Sequence, residues 1–188
     1  QDIEESIEHA SKRIDFPAIP ASPYRRLDSG AVGSLVAGYP LQLWNGDDIR
    51  ILETANFLFD SCLINGAFFH DIIHSGINAY LTLHIAQVYL RNGNKRFFSL
   101  MRSIASLASP TGHWPEAIHP QTGGGCMGDG QHVWAAAEWI NLIRNSFVYE
   151  ETEQRKLILC AGIPHEWLQA GKRLFFGPAP TEFGTISL

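Results

Sequence analysis

The chain has 188 residues, of which 45% are hydrophobic, and a formal net charge of −5. That is the length of one domain with a sizeable core, and the composition excludes a disordered chain. No Lys/Arg block or basic stripe is present, and no apolar run nears the roughly 20 residues that span a bilayer, so neither nucleic acid nor membrane is an expected partner.

Residues 2–14, DIEESIEHASKRI, read as a polar-faced helix with acidic residues early and Lys12 and Arg13 late, which suits the helix dipole. A Pro-rich connection follows. Residues 29–43, SGAVGSLVAGYPLQL, are apolar and suggest a buried helix broken near Pro40. Asp47 or Asp48 can cap a helix over 48–63, with Ile49, Leu52, Ala55, Phe59 and Leu63 on one face. Ser75 is the expected cap of a nearly all-apolar helix to about Arg91, which Gly93 ends, and another helix runs from Asn94 to Ala108. A Gly-rich loop over 112–130 leads into a last helix from Gln131 to Phe147.

Segments starting at Ser29, Ser75 and Gly128 each open on small residues and enter a buried helix, and more amphipathic helices lie between them. Helices apolar all round belong to the inner layer of a two-layer ring, so 29–43, 75–91 and 131–147 are expected to be buried inner helices. A plain helix bundle fits the periodicity equally well. Beyond Glu150, LILCAGI, KRLFFG and TEFGTISL read as short strands. The expected division is therefore 1–150 helical and 151–188 a small β appendage. The cysteines Cys62, Cys126 and Cys160 are dispersed and odd in number, which argues against a disulfide framework and for a reducing, cytoplasmic compartment.

Three stretches carry a family resemblance: SGINAYLTLHIAQVYLRNGN at 75–94, GHWPEAIHPQTGGGCMGDGQHVWAAAEW at 112–139 and GIPHEWLQAGKRLFFGPAPTEFGTISL at 162–188. Over 29–188 the chain resembles the six-hairpin (α/α)6-toroid glycoside hydrolase superfamily, which includes glucoamylases, trehalases and the glucosidase part of glycogen-debranching enzymes. The resemblance implies a mainly α fold, a partial toroid with a C-terminal β appendage. It also implies a carbohydrate substrate, an oligosaccharide or glucan. A Trp-Pro-Glu loop ahead of a Trp-containing inner helix is similar to where these enzymes keep a catalytic carboxylate. The chain has helices for only about half of a six-hairpin ring. The open inner faces are expected to be covered by a second copy of the chain, as a homodimer, or by an absent N-terminal half. Because one carboxylate cannot both protonate the leaving group and activate water on the opposite face, the isolated chain is expected to show little or no glycosidase activity.

Glycoside hydrolysis needs two carboxyl groups on either side of the scissile bond. Glu116, stiffened by Trp114 and Pro115, is the leading candidate and reads as the general base that activates water. Asp129, in GGGCMGDGQH, is the second candidate, although it can equally cap the last helix. Trp114 is expected to stack on a sugar ring. His74, Asp71, His113, His119, His132 and Asn78 are the expected hydroxyl partners. Glu116, His74, Asp129 and His132 are expected to meet in one cleft. Trp134, Trp139 and Trp167 read as packing residues, and Cys126 lacks the fixed partner a nucleophile needs.

Two other functions fit the residues. One is a non-catalytic carbohydrate-binding or scaffold domain. The other is a metal-dependent enzyme or lyase using the His70-Asp71-Ile72-Ile73-His74 run, whose two histidines would share a helix face, with Cys126 or His132 completing the set. No cofactor or resident metal is assigned.

Overall fold

The computed structural model of the chain describes residues 2–73, 75–128 and 130–188. The chain forms two compact units, Gln1–Glu138 and Trp139–Leu188, with the division inside the last helix.

The first unit begins with helix α1, Asp2–Ile14, whose acidic first turn and basic last turn are as the sequence suggests. Residues 29–43 are not a broken α-helix. They form a tight 3-10 helix, Ser29–Ala37, capped by the Asp28 carboxylate on the Gly30 amide. Helix α2, Ile49–Ser61, is capped by Asp48, which accepts from the Arg50 amide. Helix α3 spans Ala79–Asn92 and helix α4 spans Arg96–Ser106. Asn78, not Ser75, caps α3, accepting from the Leu81 amide, and Gly93 ends it in the left-handed conformation at φ 70°. Nine of the α3 residues are buried, so this helix is the core element the sequence predicts. Around it Leu35, Ile51, Leu58, Phe97, Leu100 and Ile104 are fully covered.

The expectation of a mainly α partial toroid is overturned by a five-stranded antiparallel sheet in this unit, which makes the fold mixed α and β. Its strands are β1 (Leu63–Ile64), β2 (Ala67–His70), β3 (Gly76–Ile77), β4 (Ala117–Ile118) and β5 (Gly125–Met127), in that spatial order. The β1–β2 hairpin turns at Asn65 and Gly66, both at positive φ, 53° and 78°. Asn-Gly is the strongest short hairpin signal there is, and it lay unread inside LINGAF. Ser75 therefore precedes a strand instead of capping a helix, and the long Gly-rich loop folds back as β4 and β5. Such two- to four-residue strands leave no periodicity; they are held by pairings such as Phe69 with Ile77 and Ile77 with Ile118. With the half ring goes the reason for expecting a second copy to cover its inner faces.

Gly76 sits where this sheet is tightest. A Cβ there would meet the Ala117 Cβ at 2.8 Å, the Cys126 Sγ at 3.1 Å and the Ile118 carbonyl oxygen at 3.2 Å. Gly76→Ala is expected to destabilise the first unit by about 1–3 kcal/mol, the usual cost of overpacking. Faster amide exchange in β3 and β4 would register it, and unchanged exchange would contradict the strain.

Helix α5, Val133–Phe147, runs from the first unit into the second. It is not buried all round, since Val133, Trp134 and Ile140 are exposed. In the second unit β6 (Val148–Glu151) pairs with β7 (Lys156–Leu159), and β8 (Ala179–Thr181) pairs with β9 (Gly184–Ile186). Residues 172–177, expected as a strand, lie outside regular structure. Arg144 binds both carboxylate oxygens of Glu150 at 2.6 Å, which anchors the start of the first hairpin to the helix before it. Among the described residues no helix is long and apolar enough to cross a membrane.

Candidate functional site

The backbone brings two parts of the 112–134 segment together. Trp114 accepts a hydrogen bond at its carbonyl from the His132 amide, 2.8 Å, so the strand-forming stretch and the start of α5 lie side by side. An open cleft of about 540 Å³ lies there, lined by Glu116, Gly128, Gln131, His132, Val133 and Trp134. Glu116 is half-buried just before β4, and Gly128, at φ 79°, packs close enough that a Cβ would touch the Glu116 backbone nitrogen at 3.4 Å. Glycine here allows both the turn and the narrow approach to the carboxylate.

Trp134 and His132 line the cleft, and the ring of Tyr80 packs against both. Trp134 is 66% exposed at its edge. The Tyr80 ring lies 5.6 Å from Trp134 and 6.3 Å from His132, and His132 is 5.8 Å from Trp134. The His132 Nδ1 is buried and has no hydrogen-bond partner among the described residues. A buried ring nitrogen without a partner is costly.

Behind Tyr80 lies a buried polar cluster. Tyr80, His84 and Gln87 recur on one stripe of α3, and Trp134 and Glu138 are one turn apart on α5. Gln87 Nε2 donates to Glu138 Oε1 at 2.9 Å and lies 3.3 Å from the Tyr39 hydroxyl. The Tyr39 hydroxyl also donates to the Glu138 carboxylate. Burial, and then that carboxylate, hold the Tyr39 phenol far above its ordinary pKa. His84 Nε2 is 3.9 Å from Glu138 Oε2, near enough for an ion pair. Yet burial pushes the imidazole down to about 4, so at neutral pH the His84 ring is neutral and the contact is not an ion pair.

The residues singled out from the sequence separate into three groups. Glu116 and His132 line the cleft together. His74 and Asp129 lie outside the described residues. The others serve local structure. Trp114 is 3% exposed and donates its indole N–H to the Ile104 carbonyl at 2.9 Å, so its face is not offered to a sugar. Asn78 spends its side-chain oxygen as the α3 cap. His113 Nδ1 is hydrogen-bonded to Ser109 Oγ at 3.0 Å. His119 is exposed, and its Nδ1 accepts from the Gln121 and Thr122 amides in a turn of its own. Asp71 accepts from the Ser29 hydroxyl.

His70 lies in β2, with its Nδ1 on the Ile73 carbonyl at 2.9 Å, so the helical spacing assumed for a metal pair does not arise. Among the described residues no three His, Cys, Asp or Glu side chains are grouped to hold a metal ion. Trp134, read as packing, is a cleft residue. Tyr39, Tyr80, His84, Gln87 and Glu138 were missed. The signal available for them was the Tyr80–His84–Gln87 spacing on an otherwise apolar helix.

Comparison of the chain with protein-family models, with curated proteins and with solved structures finds no match.

Proposed function

We propose that the cleft at Glu116 binds a saccharide, and that in glycoside hydrolysis there Glu116 takes a proton from the attacking water as general base while a second carboxyl group, for which Asp129 is the candidate read from the sequence, protonates the leaving-group oxygen. One observation carries the reading: an exposed tryptophan and a carboxylate line the same open cleft. Sugar rings present one apolar face and a rim of hydroxyls. They are held by an aromatic plate plus a few fixed polar groups, and this cleft offers both. Its volume of about 540 Å³ falls within the usual range for small-ligand sites. The resemblance of 112–139 to the toroid glycosidases points to the same chemistry. The substrate class is an oligosaccharide or glucan. The three free cysteines support a reducing, cytoplasmic setting.

Titration calorimetry with maltohexaose, cellohexaose and xylohexaose tests the binding. One of them is expected to bind, and Trp134→Ala is expected to weaken it about 2- to 12-fold, the loss of roughly 0.5–1.5 kcal/mol that one stacking contact carries. Equal affinity in wild type and Trp134→Ala would remove the platform from the site.

A further inference from the structure

The polar cluster behind the cleft is unlike the rest of the core. Glu138 is 6% exposed, Gln87 is fully buried, and Tyr39 is nearly so, in a region otherwise filled by leucine, isoleucine and alanine. A buried carboxylate is a poor way to gain stability, because the lost hydration is recovered only by well-placed partners. An apolar residue at 138 would pack there at lower cost. Two partners of Glu138, Tyr39 and His84, also touch each other. His84 sits between two phenol rings: Tyr39 meets it edge-on, with centroids 5.5 Å apart at 89°, and Tyr80 leans on it at 4.4 Å and 54°. Tyr80 in turn faces His132 and Trp134. A continuous line of side chains therefore leads from the buried carboxylate to two residues that line the cleft.

We propose that Glu138 is a positioning residue for the cleft: by fixing Tyr39 and His84 it holds the Tyr80 ring against His132 and Trp134, two residues that line the cleft. Gln87 and Tyr39 lock the carboxylate from one side, and His84 reads its position from the other. Of the rings that Tyr80 meets, His84 is the nearest, at 4.4 Å against 5.6 Å for Trp134 and 6.3 Å for His132. Networks of this kind fix one geometry where an apolar core would allow several. That the cleft receives a sugar rests on the function proposed above; that Glu138 positions Tyr80 does not.

The test uses the whole chain labelled with 3-fluorotyrosine, with the Tyr80 resonance assigned through Tyr80→Phe. Glu138→Leu removes the carboxylate, Tyr39→Phe removes one of its partners, and Glu138→Gln keeps the shape and the hydrogen-bonding oxygen. The Tyr80 resonance is expected to shift and broaden in Glu138→Leu, to shift less in Tyr39→Phe, and to return close to wild type in Glu138→Gln. Maltohexaose affinity, or that of whichever hexasaccharide binds wild type, is expected to follow the same order, about tenfold weaker in Glu138→Leu. A Tyr80 resonance unmoved in both Tyr39→Phe and Glu138→Leu overturns the proposal. If Glu138→Leu fails to fold, an unmoved resonance in Tyr39→Phe overturns it alone. If wild type binds no saccharide while the resonance moves as expected, the positioning role stands and the saccharide reading falls.

Discussion

Glu116→Gln is expected to lower glycoside hydrolysis by about 10²–10⁴-fold, the usual contribution of a positioned general base, while saccharide affinity changes only a few-fold. The amide keeps the size and hydrogen-bonding reach of the carboxylate but cannot take a proton from water. Trp134 and His132, which line the cleft beside Glu116, are untouched by the change, so binding persists. Aryl glycosides and hexasaccharides provide the rate measurement, and calorimetry on the same variant provides the affinity. Hydrolysis that survives in Glu116→Gln at the wild-type rate would exclude Glu116 as the base. Binding by both proteins with hydrolysis by neither would favour the non-catalytic carbohydrate-binding alternative, since one carboxylate cannot both protonate the leaving group and activate water on the opposite face.

The second large effect is on stability. Burial lowers the His84 pKa from 6.5 to about 4, so between those values the unfolded chain holds a proton on this ring that the folded chain does not. More protons bound in the unfolded state means that stability rises with pH and falls on acidification. The contribution of His84 is therefore fully present above pH 6.5 and is lost progressively towards pH 4, on the order of 3 kcal/mol over that range. The carboxylates of Asp48 and Glu150 are held below the ordinary range by Arg50 and Arg144, so their contributions are lost only at lower pH. Amide exchange in α3, corrected for the intrinsic pH dependence of exchange, would follow the first unit alone. In wild type α3 protection is expected to drop between pH 6.5 and 4.5. In His84→Gln it is expected to be much flatter, and an equal drop in both proteins would show that another group carries the effect.

The helices and the cleft were legible to different degrees. Helices α1 to α5 all announce themselves through caps, through Gly93, or through long apolar periodicity, because an α-helix is specified by residues within a turn of one another. Glu116 and His132 were found because they are close together in sequence, and the loop that joins them only has to fold back on itself. The sheet was not found, apart from the unread Asn65-Gly66 turn. Strands of two to four residues carry no alternation long enough to count, and their existence depends on partners as distant as Ile77 and Ile118.

The sequence by itself determined that helices lie near 2–14, 48–63, 75–91, 94–108 and 131–147 and that α3 is core, while the start of α3 at Asn78 and the 3-10 turn at 29–37 came only with the structure. Only the tertiary structure decided which tryptophan faces the cleft. Trp114 and Trp134 are indistinguishable by local pattern, yet one indole finds the Ile104 carbonyl in the core and the other finds no cover. The same holds for Glu138, which looks like a surface residue near the start of a helix until Tyr39, Gln87 and His84 close around it. Exposure and hydrogen bonding are settled by what packs against a side chain from elsewhere in the chain, and a linear pattern records only the neighbours a helix or strand supplies itself.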